Sequence, residues 1–119
     1  MSTRTDRAKI LAEYKTIRKA VESGKLAQFQ NISVSEALVL GLYNQGVTKF
    51  VGVFGHGSTD LAEVLREYEA VGLLRTFNVR HETAAAHAAT TLKRLTGETP
   101  AVVTSIGPGA MHAFAGSLA

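Results

Sequence analysis

Ile10, Tyr14, Ile17 and Val21 recur at spacings of four, three and four, which places a narrow apolar stripe on one face of a helix. Gly24 is positioned to end that helix, and residues 25–32 read as a connector. Such a stripe must rest on the domain behind it or on a partner chain. Ser33 and Glu36 then stand as Ser-x-x-Glu ahead of Ala37, Leu38, Val39 and Leu42. That is the capping-box pattern, and it predicts a helix from about 34 to 45, closed by Gly46. Phe50 to Phe54 is a short, nearly all-apolar run, suited to a strand buried on both faces. It breaks at Gly55-His56-Gly57-Ser58. A helix with Leu61, Val64, Leu65 and Tyr68 on one face follows and closes near Gly72. Leu74 to Val79 predicts a second strand, and Arg80-His81-Glu82 opens a helix that runs through Ala84, Ala85, Ala88, Leu92 and Leu95 to Gly97. Ala101 to Ser105 predicts a third strand, and Gly107-Pro108-Gly109 opens a last helix with no stop signal.

From Phe50 onward the order is strand–helix–strand–helix–strand–helix, the pattern of a parallel sheet covered by helices. The fold class expected is α/β, a three-layer parallel sheet preceded by an N-terminal helix. Residues 1–32 are expected to form a helical leader and residues 33–119 the sheet domain. The uncharged, uncapped run Ala113 to Ala119 and the sparse cover for three strands predict a domain incomplete at its C-terminus.

Composition narrows the function classes. With 119 residues, 45% hydrophobic and 19% charged, the chain is one small folded unit rather than a disordered segment. It has no Cys, so neither a disulfide framework nor a thiolate metal site is available. No apolar run approaches a membrane span, and no secretory apolar core opens the sequence, so a soluble cytoplasmic protein is expected. The formal net charge of +3 is concentrated: residues 1–30 hold seven basic against three acidic residues. That segment has one Tyr, one Phe and no glycine-rich basic loop, so a solvated helix face explains the charge better than a nucleic-acid partner.

In an open parallel sheet, ligands bind beyond the carboxyl ends of the strands. Three unusual stretches meet there: Gly55-His56-Gly57-Ser58, Arg80-His81-Glu82 and Ser105-Ile106-Gly107-Pro108-Gly109. Gly107 and Gly109 permit either a plain tight turn or close backbone approach to a ligand. Gly55-His56-Gly57 lacks the spacing of a dinucleotide loop or a P-loop. Glu82 opens a helix, where a carboxylate is stabilised by the dipole. The Ala-rich helix behind it allows another surface to close on the carboxyl, which would raise its pKa and suit it to proton exchange. His56 is either a substrate contact or a loop histidine bonded to backbone, and His87 reads as a packed helix residue. His81 and His87 are six apart, off the i, i+4 spacing of ligands on one helical face, and no metal site is expected.

In order along the chain, Glu36-Ala37-Leu38, Gly46-Val47, Val53-Phe54-Gly55, Arg80-His81-Glu82, Ala85-Ala86-His87-Ala88-Ala89, Thr96-Gly97 and Thr104-Ser105-Ile106-Gly107-Pro108-Gly109-Ala110 resemble a known pattern. It is that of the N-terminal, pyrimidine-binding domain of thiamine-diphosphate enzymes of the acetolactate synthase type. Phe54-Gly55-His56-Gly57 and the Thr104–Ala110 stretch are most similar to the trihydroxycyclohexanedione hydrolase branch. The resemblance implies that Glu82 is the catalytic residue, hydrogen-bonded to the N1′ atom of the cofactor's aminopyrimidine. It implies cofactor contacts from Glu82, Gly55, Ser105, Gly107, Pro108 and Gly109, and a substrate contact from His56. It implies a carbon–carbon lyase, hydrolase or carboligase acting on 2-oxo acids or cyclic diones. Mg²⁺ and the diphosphate would be held by a Gly-Asp-Gly domain, which this sequence lacks, contributed by another subunit of a homo-oligomer. The chain alone is then expected to be inactive. Acetolactate synthases commonly have Asn where His112 stands here, which bears on the substrate. The competing expectation is a non-catalytic α/β assembly domain that uses the Ala-rich helix and the Ile10–Val21 stripe as partner surfaces.

Overall fold

A computed structural model describes residues 2–117. The elements are α1 (Arg4–Tyr14), α2 (Ile17–Glu22), α3 (Val34–Asn44), β1 (Lys49–Gly52), α4 (Thr59–Ala70), β2 (Arg75–Asn78), α5 (Glu82–Thr96), β3 (Ala101–Val103) and α6 (Pro108–Ser117). A single 3₁₀ turn, His56–Ser58, joins β1 to α4. The three strands are parallel in the order β2-β1-β3, with Val51 level with Phe77 on one side and Val102 on the other. This is the expected α/β sheet. Its strands are shorter than expected, because the residues after Gly52, Asn78 and Val103 leave the ladder to form the turns. The expected uncapped end reaches Leu118 and Ala119, which lie outside the described residues.

Strand alternation sends Phe50, Leu74 and Val103 to one face, where they join Val39, Val64, Leu65 and Tyr68 of α3 and α4 in the core. Val51, also buried, alternates to the opposite face, which is covered by α5 and then α6. The layers are therefore α1–α4, the sheet, and α5 with α6. On the α5 side only the middle strand is well covered: Phe77 and Val102 are 37% and 38% exposed.

The leading segment differs from its expected form. It is two helices rather than one, broken where Lys15 takes a left-handed backbone (φ 67°) and Thr16 caps α2 by accepting from the Lys19 N–H. A left-handed non-glycine residue ends a helix, and the Tyr43 hydroxyl donates to the Lys15 carbonyl at this break. The stripe is spent on the chain itself: Ile10, Tyr14, Ile17 and Val21 pack against the core, and Ala8, Leu11 and Ala20 are buried in it. The assembly reading thus finds this surface already occupied. On the Ala-rich helix, Ala85, Ala86 and Ala89 are likewise buried within the chain.

Glu36 also departs from its expected role. Ser33 Oγ accepts from the Glu36 N–H at 3.1 Å, which is one half of the capping box. The Glu36 carboxylate, however, turns into the core. There it receives Arg7 Nε at 2.8 Å and Nη2 at 2.7 Å, the Tyr68 hydroxyl at 2.9 Å and Arg4 Nε at 3.5 Å. Burial pushes the Glu36 pKa up, and the hydrogen bonds from Arg7 and Tyr68 outweigh it and hold the carboxyl below its ordinary range. Burial, with the same carboxylate, pushes the Tyr68 hydroxyl well above its usual value.

Candidate functional site

The turns that follow β1, β2 and β3 gather at the carboxyl edge of the sheet. His81 is the N-cap of α5, and its Nδ1 accepts from the Thr83 N–H at 3.1 Å. Glu82 is therefore the first residue of the helix, with its carboxyl beside the unpaired backbone N–H groups of that end. Gly107 takes φ +62°, a conformation glycine adopts without strain, and this lets Pro108 start α6. Pro has no N–H to donate, so it sits well at a helix start.

Gly109 then faces Glu82. A Cβ on Gly109 would lie 2.7 Å from Glu82 Oε1, so the carboxylate occupies the space that a side chain would need. One turn further along α6, His112 Nδ1 lies 3.4 Å from Glu82 Oε2. The His81 and His112 rings stack with centroids 4.6 Å apart. Thr83 Oγ1 donates to the His112 carbonyl at 2.9 Å and ties the two helix starts together. The Glu82 side chain is 13% exposed and that of His112 is 50% exposed.

The expected rise in the Glu82 pKa is not found in the chain by itself. Its own backbone N–H, at the helix start, holds the carboxyl below its ordinary value, and burial opposes this only in part. The hydrogen bond and charge of His112 lower it further. That rise requires a closed interface over the carboxylate, and a single chain leaves one side open.

The other expected residues fall into two groups. Gly55 and Ser105 form the contact between the first and third turns: a Cβ on Gly55 would lie 2.7 Å from Ser105 Oγ, and Ser105 Oγ accepts from the Gly57 N–H at 3.3 Å. His56 is exposed on the 3₁₀ turn and lines a cavity of about 280 Å³ with Ser35, Asp60 and Thr104. Glu82 is not among the walls of that cavity. So Glu82 meets Gly109, Gly55 meets Ser105, and His56 stands apart on its own polar hollow.

Sequence reasoning missed the pairing of Glu82 with His112 and the stacking of His81 on His112. Sequence spacing reveals ligand pairs within one helix, whereas these rings come from the starts of two helices. The signal was available: both histidines lie within four residues of a turn at the same sheet edge.

Residues 32–118 match the family described as thiamine pyrophosphate enzyme, N-terminal TPP binding domain. The acetolactate synthase isozyme 3 large subunit of Escherichia coli (strain K12) is 39% identical over 85 residues, covering 71% of this chain and 14% of that protein. The acetolactate synthase large subunit of Buchnera aphidicola subsp. Acyrthosiphon pisum (strain APS) is 36% identical over 85 residues, with the same coverage. That of Pyropia yezoensis is 31% identical over 100 residues, covering 84% of this chain and 16% of the relative. The chain thus spans 14% to 16% of the length of these relatives. A match over most of the sequence, on a parallel sheet whose three turns carry the motifs, means that the chain belongs to the N-terminal TPP-binding domain family of thiamine pyrophosphate enzymes.

Proposed function

We propose that this chain supplies the aminopyrimidine half of an active site that makes or breaks a carbon–carbon bond beside a carbonyl, with Glu82 as its catalytic acid. The observation that carries the reading is the placement of the Glu82 carboxylate: largely shielded, at a helix start, across from a residue with no side chain. That donor set fits an aminopyrimidine, whose ring nitrogen can share a proton with a carboxyl oxygen. When bound, thiamine diphosphate supplies the electron sink for the bond change.

The chain's own residues have separate tasks in this proposal. Glu82 holds a proton between a carboxyl oxygen and the pyrimidine N1′. Its low pKa in the open chain keeps it ionised, and closure by a second domain removes solvent and moves the pKa upward, toward proton exchange. Gly107 and Pro108 set the start of α6, and Gly109, having no side chain, leaves room for the Glu82 carboxylate. Gly55 and Ser105 hold the neighbouring turns together. His56 faces the substrate from its own hollow, and the substrate is a 2-oxo acid or a cyclic dione.

Magnesium does not fit this chain. The ion favours octahedral oxygen ligands, whereas the ligand cluster among the described residues is two imidazoles and a carboxylate. The sequence also lacks Gly-Asp-Gly. Diphosphate and Mg²⁺ therefore belong to a further domain, contributed by another subunit of a homo-oligomer.

The test is Glu82→Gln in the complete enzyme, which keeps size and hydrogen bonding but removes the acid. Turnover is expected to fall by about 10² or more, the usual share of a positioned acid–base group, while the 119-residue chain alone shows no turnover. Wild-type turnover by the variant, or turnover by the isolated chain, overturns the proposal.

A further inference from the structure

We propose, on the reading of Glu82 as the catalytic acid, that His112 is its positioning residue: the imidazole Nδ1–H holds Oε2 and fixes the carboxylate in one orientation at the start of α5. A glutamate at a helix start can still turn about its side-chain torsions. Two positions of α6, one turn apart, confine this one. Oε1 lies over Gly109, where a Cβ would come within 2.7 Å, and Oε2 lies 3.4 Å from His112 Nδ1. Among the described residues no other side chain donates to the carboxylate. Removal of the imidazole therefore frees the carboxyl on the side that Gly109 does not limit.

The imidazole is itself held on two sides, and Thr83 serves both. Its hydroxyl donates to the His112 carbonyl at 2.9 Å, which ties the backbone of α6 to α5. Its N–H donates to His81 Nδ1 at 3.1 Å, and the anchored His81 ring stacks on the His112 ring with centroids 4.6 Å apart. The titratable side chains that act on the carboxyl are these two histidines. Its own backbone N–H is the first cause of its low pKa, burial opposes it, and His112 and then His81 lower it further. An ionised carboxylate only accepts hydrogen bonds, so the proton of the contact belongs to Nδ1 of His112. Half of the His112 side chain is exposed, so water competes for the contact in the open chain. Hydrogen bonds of catalytic groups are often long in the open state and tighten when the site is filled.

The experiment compares His112→Leu with His112→Asn. Leucine keeps apolar bulk and loses the donor, whereas asparagine loses the ring and keeps an N–H on the same side-chain atom, Cγ. In the 119-residue chain, the Glu82 carboxyl carbon is followed by NMR through an acid titration, with Glu82→Gln identifying its signal. Its midpoint is expected to rise in His112→Leu, short of the ordinary value because the backbone N–H remains, and to rise less in His112→Asn. In the complete enzyme, turnover is expected to fall by about tenfold or more in His112→Leu, in kcat rather than KM, and His112→Asn is expected to recover most of that loss. A side chain that only packs would show the reverse, with leucine the milder change. An unmoved Glu82 midpoint in His112→Leu overturns the positioning role, as does a loss in His112→Asn equal to that in His112→Leu. Wild-type turnover in Glu82→Gln overturns the catalytic reading and the positioning role together, whereas an unmoved midpoint beside an inactive Glu82→Gln overturns the positioning role alone.

Discussion

Two glutamate carboxyls, Glu36 and Glu82, are held below their ordinary pKa, and they are held for opposite ends. Glu36 is 1% exposed and gives both oxygens to Arg7, with Tyr68 and Arg4 adding further hydrogen bonds. Glu82 has its own backbone N–H and one long contact to His112, and its second oxygen lies against a glycine. The first has no lone pair left for a ligand. The second is shielded but underused. A carboxylate whose hydrogen bonds are completed by the fold stabilises the fold, whereas one left short at a helix start is free to meet something else.

The sharpest way to break this contrast is to neutralise each residue in turn. Glu36→Gln leaves the buried Arg7 guanidinium without its counter-charge, and loss of one partner from a buried pair costs about 3–5 kcal/mol. Urea unfolding should show that loss as a strongly lowered midpoint, while Glu82→Gln should unfold near the wild-type midpoint. Equal midpoints for the two variants would remove the distinction.

A smaller effect is expected from Tyr68→Phe, which deletes one donor to Glu36 Oε1 and keeps Arg7 in place. A hydrogen bond to a charged group contributes about 1.5–3 kcal/mol, so the unfolding free energy should fall by about 2 kcal/mol. A neutral result would mean that Arg7 alone satisfies the carboxylate.

The mildest test is pH. Both folded pKa values lie below the ordinary 4.5 of a glutamate carboxyl. Stability from each is therefore complete above about 4.5 and is lost as the pH falls through the folded value. Melting curves from pH 7 to 3 should show an acid-side decline that Glu36→Gln flattens more than Glu82→Gln does. A decline carried mainly by Glu82 would reverse the comparison.

Much of this arrangement is legible in the residues. The alternation of apolar runs with turn residues predicts the parallel sheet, and Glu82 and Gly109 are both visible as members of the turns that meet at its edge. Legibility ends where a residue acts across a distance that spacing does not encode. Ser33 and Glu36 carry a capping-box pattern, yet only the serine caps, because Arg7 offers the carboxylate a stronger partner 29 positions away. The Ile10–Val21 stripe reads as one helix, yet it breaks at Lys15, where the local pattern holds no proline or glycine to announce it. His112 reads only as a departure from a family habit, because its partner Glu82 is 30 residues earlier.

Near the C-terminal end of α6 lies Gly116, which is buried; a Cβ there would lie 2.6 Å from the Ala86 Cβ and 2.7 Å from the Thr83 carbonyl. The two helices cross with almost nothing between them, so any side chain at position 116 would push α6 off α5. The spacing of the His112 ring from the Glu82 carboxylate is therefore set by a glycine in the last turn of α6. A methyl group there would lift the far end of α6 and widen the gap between His112 and Glu82.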